Sequence, residues 1–247
     1  MIVWVQIPPT APLLIMDKTL IETLKQWNIT SVLPLSVGAF QLLEVFDVVS
    51  EQGVEKEFCL FRYLNRDNGW FVKASFNLSS HEFSVRVNIG MLEFSLIEFI
   101  TDKWEYFQQM VASRLVSVID GHYVHREKNV MSIVREKGIT QVNWESFLPT
   151  QYKSFRRDIS PTNAVQIING SYMILSYYDV ITRSGLSLMY NLLRDDFFAE
   201  QRVYNFPNLV HDFDSSTIQD VQRAVQSRLI GVLDELEQAV QAEQMTR

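Results

Sequence analysis

The sequence predicts an α+β protein of two tandem helix–antiparallel sheet–helix units, residues 16–122 and 126–247, packed as a pseudo-dimer. Three observations carry that expectation. Ser113-Arg114-Leu115-Val116-Ser117-Val118-Ile119-Asp120 returns 114 positions later as Ser227-Arg228-Leu229-Ile230-Gly231-Val232-Leu233-Asp234, and Phe99, Gln108 and Val111 recur at the same offset as Phe213, Gln222 and Val225. Leu20 to Val32 and Val130 to Val142 end alike, in Ile29-Thr30-Ser31-Val32 and Ile139-Thr140-Gln141-Val142, at an offset of 110. Between these landmarks lie segments whose apolar residues alternate, the pattern of strands with one buried face. A few inserted loop residues account for the drift in offset, and self-similarity on this scale bears on architecture before any single residue does.

The elements follow in order. Leu20, Ile21 and Leu24 with Trp27 have helical spacing, and Asn28 reads as a left-handed stop. Phe40 to Val49 and Glu57 to Leu64 are rich in the β-branched and aromatic residues that strands favour. Asn68-Gly69 is a tight-turn signal leading into Trp70, Val72, Ala74 and Phe76, and the return strand carries Phe83, Val85, Val87 and Ile89. The first unit closes with Trp104, Phe107, Val111, Leu115 and Val118 on one helical stripe, with Thr101 as a cap, Gly121 as a terminator and His122 to Arg126 as the connector. The second unit opens with Val130, Ile133 and Val134 ahead of Gly138. Strand material follows from Ala164 to Tyr178, a turn at Ser184-Gly185, alternation over Leu186, Leu188, Tyr190 and Leu192, and a return over Phe198 to Tyr204. It closes with Val221, Val225, Leu229, Val232, Leu236 and Val240, behind a capping box at Ser216 and Gln219. The plan is helix, about four strands, helix, used twice.

Composition narrows the function classes. Apolar residues make up 47% and charged residues 21%, an ordinary balance for a globular chain with a real core. A formal charge of −7 and the lack of a basic stripe make nucleic acid an unlikely partner, since neutralising phosphates requires clustered Lys and Arg. The single cysteine, Cys59, excludes an intrachain disulfide and sits in an apolar run, where a small buried hydrophobe is expected. No apolar stretch has the length of a membrane span, and the N-terminus lacks a basic n-region, so the expected site is cytoplasmic.

Residues 1–15 are expected to be a non-native extension. The codons of Val5-Gln6-Ile7-Pro8-Pro9-Thr10-Ala11-Pro12 can spell a transfer-RNA T-loop, acceptor strand and terminal CCA, with the right spacing between them. The expectation is a translated 3′ end of a tRNA gene, with Met16 as the better start. Such gene ends are favoured insertion points for phages and genomic islands, which carry many immunity and toxin-neutralising proteins.

Chemistry is sparsely signalled. Asp120, His122 and His125 have metal-ligating side chains, but they lie in the connector and no fourth ligand is nominated, so no metal or cofactor is expected. His81-Glu82 marks a solvated hairpin tip, and the repeated Ser-Arg and Asp positions of the closing helices read as scaffold. Phosphate-binding glycine loops, nucleophile elbows and zinc-protease helices are absent, so no catalytic residue is nominated. What remains is acidic: Arg194-Asp195-Asp196 and His211-Asp212-Phe213-Asp214. The expected role is a cytoplasmic protein-binding factor of a bacterial mobile element, of immunity, antitoxin or chaperone-like kind, masking a basic partner such as a toxin. Asp195, Asp196, Phe197, Tyr204, Asp212 and Asp214 are the expected partner-binding residues. The alternative is a metal-dependent enzyme on nucleotides or nucleic acid that uses the same four aspartates. Convergence of those carboxylates in one pocket would favour the enzyme, and dispersal the binding protein.

Overall fold

A computed structural model describes residues 18–51, 54–129, 132–167 and 170–246. They form an α+β fold of two antiparallel sheets and few helices. Residues 1–17, which include Met16 and the whole expected tRNA-derived segment, lie outside the described residues. So does Val130, where the second repeat was expected to open.

The first sheet has six strands paired in chain order: β1 (Ser36–Val37), β2 (Phe40–Glu51), β3 (Val54–Asn65), β4 (Phe71–Asn77), β5 (Glu82–Asn88) and β6 (Glu93–Thr101). Helix α1 (Lys18–Lys25) precedes it and α2 (Trp104–Met110) follows. The helical path continues through α3 (Val116–Ile119), with wider π turns at Val111–Leu115 and Asp120–Val124. Phe107, Val111, Leu115 and Ile119 recur every fourth residue, so one face of this helix is buried on the sheet. Trp27 meets Phe61 and Trp104 edge to face, and Phe83 stacks on Phe107 at 5.2 Å, which ties both helices to the same core.

A short helix, α4 (Ser132–Glu136), leads into β7 (Gln151–Tyr152), β8 (Phe155–Ile159), β9 (Val165–Ile167), β10 (Ser171–Asp179), β11 (Ser184–Asn191), β12 (Asp196–Val203) and β13 (Phe206–Ser215). Their order is β13-β12-β11-β10-β8-β7, with β9 paired beside β10. Where β2 is one strand, β8 and β9 are separated by a 3-10 turn at Pro161–Asn163, since proline cannot donate to the ladder. Helix α5 (Ile218–Thr246) closes the chain and buries Val221, Val225, Leu229, Val232, Leu236 and Val240.

Details recur between the sheets at the offset of 114 or 115. The Tyr63 hydroxyl donates to the Pro34 carbonyl at 2.6 Å, and Tyr177 donates to Pro149 at 2.6 Å. Asn77 Oδ1 accepts the amides of Ser79 and Ser80, and Asn191 Oδ1 those of Leu193 and Arg194. Phe76 lies 4.8 Å from Phe83, and Tyr190 lies 4.9 Å from Phe197. Arg114 pairs with Glu98 and Arg228 with Asp212. The register of β3 slips between Cys59 and Phe61, that of β10 between Met173 and Leu175.

Several local expectations are corrected. The strand count per sheet is higher than four, because β1, β6, β7, β8 and β13 escaped notice. Asn28 is not left-handed (φ −78°); its side chain instead accepts the Ser31 amide and starts a 3-10 turn. Gly121 does not end the first closing helix, whose π turn carries it to Val124. Thr101 does not cap that helix: Lys103 occupies the cap position, and Thr101 accepts only the Lys103 amide. The second cap is one residue later than expected, with Thr217 Oγ1 accepting the Asp220 amide. Ser184 and Gly185 belong to β11 rather than to a turn, and a Cβ at Gly185 would stand 2.4 Å from the Tyr177 carbonyl oxygen.

The halves share a junction. Strand β10 is buried along its whole length, and Ile159, Val165 and Met173 join the core of the first sheet. The Arg126 guanidinium lies 5.2 Å above the Trp70 ring and donates to the Asn163 carbonyl at 3.0 Å, clamping the connector over both halves. No helix among the described residues is long and apolar enough to cross a membrane.

Candidate functional site

Strand β12 alternates: Phe197 and Ala199 face the core while Phe198 and Glu200 are half-buried on the other side. Beside them β13 pairs with β12 alone among the described strands, and its Asp212 carbonyl accepts from Arg228 of α5 at 3.2 Å, so β13 is an edge strand. A hollow of about 730 Å³ opens there, with Arg194, Asp196, Phe198, Leu209, His211 and Asp214 on its walls and Leu92 of the first sheet at its border. Leu209 is 65% exposed, a large apolar side chain left in solvent.

The sequence-predicted residues fall in different places. Asp196 and Asp214 line the hollow, each beside its own partner: Arg194 at 3.2 Å and His211 at 2.7 Å. Phe197 touches the same hollow from the core and is 1% exposed, packed on Tyr190. Asp195 sits in the β11–β12 turn at φ +54° and is not on the wall. Its Oδ1 accepts from Lys137 Nζ at 2.5 Å and from the Tyr190 hydroxyl at 2.6 Å, and these two bonds hold its carboxyl below the usual range. Burial first, then that same bond to Asp195, pushes the Tyr190 phenol up. Asp212 faces α5, 3.6 Å from Arg228. Tyr204 occupies a left-handed position in the β12–β13 turn, where its amide donates to Ser184 Oγ.

The four aspartates therefore do not gather around one point, and each has a separate basic side chain as its partner. Among the described residues no group of three or more His, Cys, Asp or Glu side chains is placed to hold a metal. His125 reaches Asp120 at 3.7 Å and Glu127 at 3.4 Å, while His122 borders a separate small hollow near Glu98, its pKa lowered by burial. Cys59 is fully buried and burial raises its thiol to about 11, which keeps it protonated and unreactive.

Sequence reasoning missed Phe198, Leu209 and the strand edge, for which alternation read outward from Phe197 was the available signal. It also missed a second cavity at the junction, bordered by Tyr178, Arg183 and Arg202, for which no sequence signal exists. No protein-family model, no curated protein and no solved structure matches this chain.

Proposed function

We propose that the chain is two copies of one helix–sheet–helix unit forming a pseudo-dimer, and that it works in the cytoplasm as a protein-binding factor of a bacterial mobile element. It masks a partner surface in the manner of an immunity protein, antitoxin or chaperone. The duplication is supported by the hydrogen bonds, ring pairs and register slips that recur at one offset. The genomic setting rests on residues 5–12 alone, whose amino acids are compatible with codons that spell a tRNA 3′ end.

One observation carries the binding role: the hollow beside β13. There an exposed leucine, a half-buried phenylalanine and two carboxylates stand on β12, its turn and the edge strand β13, which pairs on one side only among the described strands. Apolar groups at the centre of such a patch supply affinity, and charges at its rim set encounter rate and partner choice. Asp196 and Asp214 set two carboxylates on the wall of the hollow, in a chain of net charge −7. The fitting partner is basic.

The test is co-expression with the product of the adjacent reading frame, followed by association kinetics over a range of salt. The expected result is a complex whose association slows and loses salt dependence in the Asp196→Asn, Asp214→Asn double variant, with unchanged thermal stability. Metal-dependent nucleotide hydrolysis abolished by Asp196→Asn alone would replace the binding reading with the enzymatic one.

A further inference from the structure

Where the two sheets meet, the matching turns of the halves wall a cavity of about 510 Å³, a volume suited to a small molecule and placed at an interface where ligand sites recur. Positions 114 apart line it in pairs: Gly69 and Arg183, Asn88 and Arg202. Where the first half carries a glycine and an amide, the second carries two guanidiniums. We propose that this junction cavity binds a small organic oxyanion, a carboxylate or phosphate, between Arg183 and Arg202.

The lining is rich in donors. Arg183 has no ion-pair partner among the described residues. Arg202 spends its Nε on Glu200 at 2.8 Å, leaving its terminal amino groups, and a guanidinium fork suits the paired oxygens of an oxyanion. Asn68 Oδ1 accepts the Trp70 amide and Asn88 Oδ1 the Gly90 amide, and the NH2 group of each remains as a donor. Behind Gly90, the buried Trp70 indole nitrogen makes no hydrogen bond among the described residues and lies 3.7 Å from where a Cβ would stand. Glu93 is the one carboxylate on the wall, and it is answered by Lys73 at 3.2 Å and Arg86 at 2.8 Å. Asp158, whose Oδ2 lies 3.6 Å from the same Cβ position at Gly90, is answered by Arg156 at 2.8 Å, which leaves Arg183 as the charge on the wall without a counter-ion among the described residues. Phe71 and Tyr178 supply flat apolar surface on the same wall.

Arg183 also occupies a costly backbone position. Its φ of +51° matches that of Gly69 at +76°, where glycine is at ease and a long side chain is not. The Asn205 amide donates to the Arg183 carbonyl at 3.0 Å, so the turn is held in that shape. Keeping an arginine there makes sense when its side chain is used.

The test titrates the full chain with inorganic phosphate, succinate and AMP, by calorimetry and thermal melting, alongside Arg183→Gly, Arg202→Gln and the distant control Arg223→Gln. The expected result is saturable binding of at least one probe, about tenfold or more weaker in both cavity variants, as the loss of a charge-assisted hydrogen-bond pair requires, and unchanged in the control. Arg183→Gly should lose the ligand while melting at the same temperature or higher, since the backbone strain is relieved. Phosphate and AMP binding without succinate identifies a phosphate site, and the reverse a carboxylate site. Failure of all three probes to bind, or equal weakening in the Arg223→Gln control, overturns the proposal. Neither outcome bears on the hollow beside β13.

Discussion

The two halves agree in their local hydrogen bonds and differ on their faces. Tyr63 and Tyr177 make the same hydrogen bond to a proline carbonyl, and Ser113 and Ser227 each donate back one helical turn, to Gln109 and Arg223. The edge strands, by contrast, carry Ile97 and Ile100 in the first half and His211 and Asp214 at the matching places in the second. The turns carry Gly69 against Arg183. Packing tolerates little change in a buried ring or a bonded hydroxyl, whereas exposed positions are free to take on tasks. The working surfaces are accordingly sought where the halves disagree.

The strongest test of the proposed equivalence is in the core. Leu115 and Leu229 occupy matching, buried positions on the two closing helices. Truncation of either to alanine should cost about 3 kcal/mol in denaturant unfolding, the usual cost of a buried Leu→Ala cavity. A gap between the two variants larger than about 2 kcal/mol would show that the helices are not equivalent parts. A finer comparison uses Tyr63→Phe and Tyr177→Phe. Each removes one hydroxyl bond and should cost about 1 kcal/mol, and a silent variant on one side would mark its hydrogen bond as incidental.

The smallest effect concerns an ion pair found on one side only. Burial raises the pKa of Glu93, but Lys73 and Arg86 outweigh it and leave the carboxyl below its ordinary value. A carboxylate depressed by folding adds stability above its unfolded pKa and loses it as the pH falls through the folded one. Glu93→Gln should therefore destabilise by about 1 kcal/mol or less at neutral pH, and the difference from the parent should shrink as the pH falls below the ordinary glutamate value of about 4.3 and through the lowered folded one. The matching position in the second half is Pro207, so that half should lack this component. A difference that persists at low pH would mean that packing, not charge, holds Glu93.

What could be read from the sequence follows from these physical differences. The closing helices and the β4–β5 hairpin were legible because their apolar residues keep a regular period over many residues. Strands β6 and β13 were not. Phe83 and Val85, two residues apart, face Thr101 and Leu96, five apart, and Phe197 and Ala199 face Ser215 and Val210 in the same way. Bulges of that size erase the period of two. For the site, acidic character near β12 and β13 was visible, but which side chains share a wall was not. A shift of one residue decides whether Phe197 or Phe198 faces outward, and only the pairing with β11 settles it.

Cys59 gives the molecule a built-in reporter. It is the only thiol in the chain, it is sealed inside β3 beside the register slip, and the second sheet has none. A thiol reagent can reach it only when the first sheet opens, so the rate of labelling measures the opening of that sheet alone. Compared with whole-chain melting, that rate tells whether the halves come apart together or one before the other.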